Sequence, residues 1–123
     1  MKIINHYEYL GILMSDCIFC KIIAKELPTE VLYEDNLIVA FNDIRPKAKI
    51  HVLVVAKEHI KNLTEITKNH EQLIFHIMQK ISDLAKEFKL SGFRIITNIG
   101  REGGQEIDHL HFHLLGGGKL PGF

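Results

Sequence analysis

Three histidines alternate with large apolar residues near the end of the chain, in the order His109, Leu110, His111, Phe112, His113 and Leu114. Because successive side chains of a β-strand point to opposite faces, this spacing places the three imidazoles on one face and the apolar side chains on the other. Imidazole can donate, accept or attack near neutral pH. Three interpretations fit the pattern: a polar sheet face, a zinc site, or nucleophilic catalysis in which one imidazole attacks while its neighbours position phosphate and protons.

The composition of the chain limits the classes of function. It has 15 Lys and Arg against 15 Asp and Glu, so no net field attracts nucleic acid or an anionic membrane, and neither is expected as a partner. Hydrophobic residues make up 46% of its 123 residues, which is typical of one globular domain. Met14 resembles a second start, so we expect residues 1–13 to be an extension and residues 14–123 to be a single domain.

The two cysteines, Cys17 and Cys20, are separated by two residues. No apolar run approaches the roughly 18 residues of a membrane span, and the first residues lack the apolar stretch of a signal peptide. A Cys-x-x-Cys pair without an export signal indicates a reducing compartment and metal or redox chemistry. We therefore expect a cytoplasmic protein.

The hydrophobic period predicts the elements that position the histidines. Eight apolar residues between Leu73 and Phe88 recur at helical spacing and predict one long helix. The remaining predicted elements are a short N-terminal helix at 17–24, strands at 31–34, 37–41, 51–56, 93–97 and 109–115, and a glycine-rich loop at 100–104. Short connections between strands favour antiparallel pairing, so this order predicts an α+β fold with a five-stranded antiparallel sheet and the long helix on one face.

Five segments resemble the histidine triad (HIT) superfamily: residues 17–23, 40–44, 51–54, 103–105 and 109–115. The resemblance covers about residues 16–117. Gly116-Gly117 after the triad is similar to the nucleotide-binding branch of the family rather than to its dinucleoside polyphosphate hydrolases. The resemblance implies a HIT-like fold that pairs into a homodimer and binds a purine nucleotide such as AMP or an AMP–amine conjugate. The implied reaction is hydrolysis or transfer of purine nucleoside 5′-phosphoramidates through a covalent nucleotidyl-histidine, with no cofactor required for catalysis.

The same resemblance implies a role for each histidine. His111 attacks the α-phosphorus, and His113 hydrogen-bonds the phosphoryl oxygens as charge develops on them. One ring nitrogen of His111 must be held protonated so that the other faces phosphorus as a free lone pair. His109 and His51 complete the polar network that orients the nucleophile, although a buried structural histidine is an equally simple interpretation of His51.

The resemblance also implies a set of nucleotide contacts: Phe41, Asp43, Ile44, Asn98, Gly104, Gln105, Glu106, His111 and His113. Asp43 matches the position that holds the ribose hydroxyls and Ile44 the one that packs on the base, while an Asx turn before Pro46 is the structural alternative for Asp43. Glycine lets main-chain N–H groups approach phosphate. Glu106 departs from the family pattern, because many members carry a serine there and a carboxylate repels an anion.

A structural zinc site is the last expectation. Cys17 and Cys20 could supply half of a tetrahedral site, and His59 and His109 match positions at which some relatives bind zinc. Two small buried thiols are the alternative. Three other functions also stay open: dinucleoside polyphosphate hydrolysis, a nucleotide-binding interaction module with little catalysis, and a metallohydrolase that uses the triad as ligands.

Overall fold

A computed structural model describes residues 17–123, so the predicted extension at residues 1–13 lies outside the described residues. The elements follow the predicted order: α1 (Ile18–Ile23), β1 (Val31–Glu34), β2 (Ile38–Asn42), β3 (Ile50–Ala56), two short 3₁₀ turns (Leu63–Glu65 and Lys68–His70), α2 (Glu71–Glu87), β4 (Phe93–Ile96) and β5 (His111–Gly116). The predicted α+β class is confirmed. None of the helices described is both long and apolar enough to span a bilayer.

The five strands form one antiparallel sheet in the order β1-β2-β3-β5-β4. The strands β3 and β5 are therefore neighbours at its centre, although α2 and β4 separate them along the chain. Their register places His51 opposite Leu115 and Leu53 opposite His113. Because directly opposed residues share a face, His51 lies on the same face of the sheet as the alternating histidines.

The two faces of the sheet carry different layers. On one face, the apolar residues of the alternating segment pack against α2; this core includes Leu110, Phe112, Leu114, Leu73, Ile77, Ile81, Leu84 and Ala85. On the other face, the short helix α1 packs through Phe19 and Ile22 against Phe41, Leu53 and Val55. The predicted alternation is thus confirmed, because the apolar side chains face the long helix while the histidines face α1.

The last strand is shorter than predicted, since β5 begins at His111 and not at residue 109. The main-chain N–H of His109 donates to the carbonyl of Ile107 at 2.9 Å, and that of Leu110 donates to the carbonyl of Ile60 at 2.6 Å. These two donors therefore bond to loops and are unavailable to a neighbouring strand. The other strand ends differ from the predicted ones by at most one residue.

Candidate active site

A cavity of about 650 Å³ opens on the histidine face of the sheet. Most of the predicted site residues line it, namely Phe41, Asp43, Ile44, His51, Asn98, Gly104, Glu106, His111 and His113. Gln105 and His109 were also predicted for the site, but both are buried and neither lines the cavity. The structure therefore brings together residues from β2, β3, β5 and the glycine-rich loop.

The hydrogen bond that His111 makes determines its tautomer. Its Nδ1 lies 2.6 Å from the main-chain carbonyl oxygen of His109. A carbonyl only accepts, so Nδ1 carries the proton and Nε2 keeps its lone pair. Burial lowers the pKa of His111. The result is a neutral ring with a free nitrogen at the cavity, which is the state that a nucleophilic imidazole requires.

His51 and His113 form a second pair with a defined proton order. The main-chain N–H of Lys47 donates to Nδ1 of His51 at 3.0 Å, so His51 carries its proton on Nε2. That Nε2 lies 2.8 Å from Nδ1 of His113 and donates to it, which leaves the proton of His113 on its own Nε2. Burial lowers the pKa of His51 and lowers that of His113 to about 4. The neutral pair therefore provides His113 with an N–H donor.

Asp43 both closes a turn and lines the cavity. Its Oδ1 accepts the main-chain N–H of Arg45 at 2.8 Å, which is the Asx turn that the sequence offered as the alternative. Its Oδ2 lies 3.4 Å from Nε2 of His51. The carboxylate has acceptor capacity beyond these contacts. The next residue, Ile44, is 91% exposed at the cavity and offers an apolar surface to a ligand.

Gln105 holds the glycine-rich loop through a buried side-chain amide. Its Nε2 donates to the carbonyls of Lys61 and Ile107 at 2.7 and 3.0 Å. Its Oε1 accepts from Nδ2 of Asn62 and from the main-chain N–H of Gly100, both at 2.9 Å. The side-chain amide therefore makes these four hydrogen bonds to protein groups and not to a ligand. In this way it anchors the glycine-rich loop on the side away from the cavity.

The backbone of this loop requires glycine at two positions. A Cβ at Gly103 would overlap the main-chain oxygen of Ile99, and Gly104 has a φ of +88°. Glycine at these two positions therefore lets the chain turn tightly beside the cavity. Glu106, two residues further on, is exposed and lines the cavity, so it adds a carboxylate to this wall.

The apolar wall of the cavity was not predicted from the sequence; it comprises Ile18, Phe19 and Ile22 of α1 together with Leu53 of β3. The ring of Phe19 meets that of His111 edge to face, with centroids 5.0 Å apart, and that of Phe41 at 5.8 Å. The helical spacing of these residues indicates a buried face of α1. It contains no information on which distant strand that face covers.

A second group of side chains surrounds Nδ1 of His109. Cys17, Cys20, His59 and His109, here called the cysteine–histidine cluster, bring their ligand atoms within 4.8 Å of one another. The Sγ of Cys17 lies 3.3 Å from Nδ1 of His109, the Sγ of Cys20 lies 3.1 Å from Nδ1 of His59, and the two Nδ1 atoms are 3.1 Å apart. Tetrahedral zinc has ligand-to-ligand edges of about 3.3–3.8 Å, so a small adjustment completes the geometry.

The surroundings of His109 also suit a metal ligand. Its Nε2 donates to the carbonyl of Ala56 at 2.6 Å, which leaves the Nδ1 lone pair directed at the cysteines. Burial lowers the pKa of His109 to about 4, so the ring is neutral. Burial raises the pKa of the Cys20 thiol to about 12, and a bound cation is what would hold it as a thiolate. The four residues therefore fit a closed structural zinc site.

Comparison with known proteins settles the family. Residues 16–120 match the profile of a family described as "Scavenger mRNA decapping enzyme C-term binding". The chain is also 44% identical over 107 residues to a HIT-like protein of Synechococcus elongatus, which covers 86% of this chain and 94% of that protein. This chain belongs to the HIT family. The resemblance of its five segments to that family is thereby confirmed.

Two further HIT relatives bear on activity. The chain is 37% identical over 108 residues to the purine nucleoside phosphoramidase of Escherichia coli, which covers 86% of this chain and 91% of that enzyme. Its fold superposes on a HIT family hydrolase from Clostridium thermocellum with a TM-score of 0.83 and 42% identity, covering 88% of this chain and 96% of that one. These HIT relatives confirm the predicted fold and support a hydrolase activity.

Proposed function

We propose that this HIT protein hydrolyses purine nucleoside 5′-phosphoramidates, such as an AMP–amine conjugate, through a covalent nucleotidyl intermediate on His111. The observation that carries the proposal is the 2.6 Å hydrogen bond from Nδ1 of His111 to the carbonyl of His109. It leaves Nε2 as a free lone pair beside a cavity of nucleotide size. The similarity to the Escherichia coli purine nucleoside phosphoramidase supports the substrate class.

The proposed reaction has two steps that balance. First, Nε2 of His111 forms a bond to the α-phosphorus while the P–N bond breaks, and the amine leaves with the electron pair of that bond and a proton taken from solvent. Second, water attacks the same phosphorus, the bond to His111 breaks with its electron pair returning to Nε2, and the attacking water releases a proton to solvent as the nucleoside monophosphate leaves. The Nε2–H of His113 donates to the phosphoryl oxygens in both steps.

We assign the nucleotide contacts from the residues that line the cavity. Asp43 accepts from the ribose hydroxyls, and the apolar surfaces of Phe41 and Ile44 pack on the purine. Asn98 and the main chain at Gly104 contact the phosphate. These assignments place the α-phosphorus next to the histidines at the centre of the sheet.

Three predicted site residues act in less direct ways in this proposal. Gln105 contributes by fixing the phosphate-side loop, because its side chain is buried away from the cavity. His109 contributes its carbonyl to the nucleophile while its ring serves the cysteine–histidine cluster. Glu106 lines the cavity and weakens phosphate binding through its charge.

We propose that the cysteine–histidine cluster binds a structural zinc ion, which when bound would cross-link α1 to the sheet. Elemental analysis of the purified protein beside Cys17→Ala tests this assignment. We expect one zinc per chain in the wild type and much less in the variant. Equal metal content in the two proteins would reject the ligand set.

The free thiols of Cys17 and Cys20 also suit the reducing cytoplasm, which we propose as the location.

We propose further that the chain forms a homodimer through β4, which is an edge strand of the sheet. Phe93 and Ile95 of this strand are each 41% exposed among the described residues, and exposed large apolar side chains on an edge strand mark a surface suited to pairing. A second copy that paired along β4 would cover them.

Turnover of an AMP–amine conjugate by the wild type and by His111→Ala, each with and without a chelator, tests the proposed function. We expect hydrolysis that a chelator slows but does not abolish and that His111→Ala abolishes, while His70→Ala, which changes a histidine outside the cavity, retains it. Turnover that survives His111→Ala would reject the nucleophile. Turnover that a chelator abolishes in a folded protein would favour a metallohydrolase, and nucleotide binding without turnover would favour an interaction module.

The geometry gives little support to a metallohydrolase in which the triad shares one ion. Within residues 17–123, the ring of His109 belongs to the cysteine–histidine cluster, while His113 groups with Asp43 and His51. His111 belongs to neither group. The three imidazoles of the triad therefore lie in three different environments and do not converge on one ion.

A further inference from the structure

We infer that the cysteine–histidine cluster controls the orientation of His111, and that His109 and Phe19 are the positioning residues that connect the two. This inference rests on the proposed function, because it assigns a control to the proposed nucleophile. It goes beyond a structural metal site, since a metal bound by the cluster would change the tautomer of a residue that is not one of the four ligands. Two independent contacts carry the argument.

The first contact runs through the two ends of His109. Its ring Nδ1 faces the rest of the cluster, 3.3 Å from Sγ of Cys17, while its carbonyl oxygen accepts a hydrogen bond from Nδ1–H of His111 at 2.6 Å. The residue is completely buried, and its ring is held from behind by the carbonyl of Ala56. A movement of the ring therefore moves the acceptor that sets the tautomer of His111. Hydrogen bonds weaken steeply when such an acceptor goes out of line.

The second contact runs through Phe19, which lies between the two cysteines in sequence. Its ring meets the ring of His109 edge to face at 5.8 Å and that of His111 at 5.0 Å. Phe19 thus packs against the proposed nucleophile on the side that α1 covers. Whatever holds Cys17 and Cys20 in place also holds this aromatic wall.

The helix α1 depends on such external restraint. It has only six residues, and an isolated helix of that length is not stable in water. Its buried contacts with the sheet come from Phe19 and Ile22, while Cys20 and the preceding Cys17 join it to His59 and His109. A cation bound by all four ligands would join α1 to the segments that follow β3 and precede β5. Without that link, α1 and the wall that it provides are free to loosen.

The expected consequence concerns the ring of His111. When the cluster binds a metal ion, the carbonyl of His109 and the ring of Phe19 hold His111 in one rotamer and one tautomer, with Nε2 at the cavity. When the cluster is metal-free, both restraints weaken, and the ring of His111 samples the second tautomer, in which Nε2 is protonated and cannot attack.

The test is a measurement of ring tautomers that does not depend on turnover. Protein labelled with ¹⁵N at histidine is prepared with one equivalent of Zn²⁺ and again after removal of metal by a chelator, and the His111 signals are assigned with His111→Gln. At a pH where the ring is neutral, we expect the Nδ1–H tautomer alone in the zinc-loaded protein and averaged ring nitrogen signals in the metal-free protein. Identical His111 signals at different metal content, or a failure to bind Zn²⁺, would overturn the inference.

A variant keeps the test decisive if the metal-free protein does not fold. Phe19→Leu retains the four ligands but removes the aromatic edge, so we expect full zinc content, averaged His111 signals and about a tenfold lower rate of the chemical step. Val39→Ala is the matched control, because Val39 is buried in the same apolar layer and does not line the cavity. It should keep the wild-type signals. Wild-type His111 signals in Phe19→Leu would remove Phe19 from the inference.

The inference and the proposed function fail in different ways. Signals that respond to zinc in a protein that hydrolyses no phosphoramidate would reject the function and retain the coupling. Phosphoramidate hydrolysis by a protein whose His111 signals do not change with zinc would retain the function and reject the coupling.

Discussion

His51 donates to His113 across the central pair of strands, with Nε2 of the first 2.8 Å from Nδ1 of the second. The main-chain N–H of Lys47 occupies the remaining nitrogen of His51 and so sets the direction of this hydrogen bond. The arrangement favours a functional role for His51 over that of a merely buried histidine. It fixes the position of a proton on a neighbour that lines the cavity.

Removing this donor should therefore slow the reaction without emptying the site. We expect His51→Leu to lower kcat for an AMP–amine conjugate by about tenfold or more, because His113 is no longer held in the tautomer that donates to phosphate. The affinity for AMP should change much less. Steady-state kinetics and AMP titration measure the two effects. His70→Gln, at a half-buried histidine that does not line the cavity, is the control, and equal kcat values in His51→Leu and the control would contradict the prediction.

Acid should destabilise the fold in a window set by the buried histidines. Burial lowers the pKa of His113 from 6.5 to about 4. Below pH 6.5 the unfolded chain binds a proton at this position that the folded chain does not bind until about pH 4, so the contribution of His113 lowers the free energy of unfolding across this window and is constant below it. Urea denaturation at several pH values measures the slope. His113→Gln should show a shallower decline, and parallel curves for the two proteins would show that His113 is not responsible.

Glu106 should weaken nucleotide binding through its charge. We expect Glu106→Gln to bind AMP a few-fold more tightly at low salt, because a carboxylate that lines the cavity repels the phosphate. The difference should shrink as ionic strength rises. Calorimetric titration at two salt concentrations measures it. Glu102→Gln, an exposed loop variant outside the cavity lining, should bind AMP like the wild type. A loss of affinity in Glu106→Gln would indicate instead that the carboxylate binds the ligand.

The glycine-rich loop should depend on the amide of Gln105. Gln105→Leu leaves the main-chain N–H of Gly100 and the amide of Asn62 without their buried acceptor, so we expect a loss of about 2 kcal/mol or more in the free energy of unfolding. Gln72→Leu makes the same chemical change on the exposed surface of α2 and should be nearly neutral. Urea denaturation compares the two. Equal stability of the two variants would argue against this role of the Gln105 amide.

The edge strand β4 should determine the oligomeric state. We expect the wild type to sediment as a dimer and Ile95→Lys as a monomer, because a lysine on this edge opposes pairing with a second copy. Leu32→Lys is the matched control, since Leu32 has similar exposure on β1 at the opposite edge of the sheet. Analytical ultracentrifugation distinguishes the outcomes. A monomeric wild type, or a dimeric Ile95→Lys, would reject β4 as the interface.

The sequence predicted those features that depend on local periodicity. The period of two around His111 and the helical period of α2 are properties of short segments, and both faces were assigned correctly. The roles of Gln105 and Phe19 were inaccessible because they depend on partners remote in sequence. Gln105 bonds to residues more than forty positions away, and Phe19 meets His111 across most of the chain. No local pattern specifies which distant group a side chain will meet.

The segment that starts at His109 divides its duties between the two sides of the sheet, and this division affects how the protein can evolve. Leu114 lies fully buried beneath α2, whereas the adjacent His113 borders the cavity. Mutations on the helix side act on stability, while those on the cavity side act on ligand binding and catalysis. Natural selection can therefore change ligand preference at cavity residues such as Glu106 or Ile44 independently of changes in the hydrophobic layer under α2.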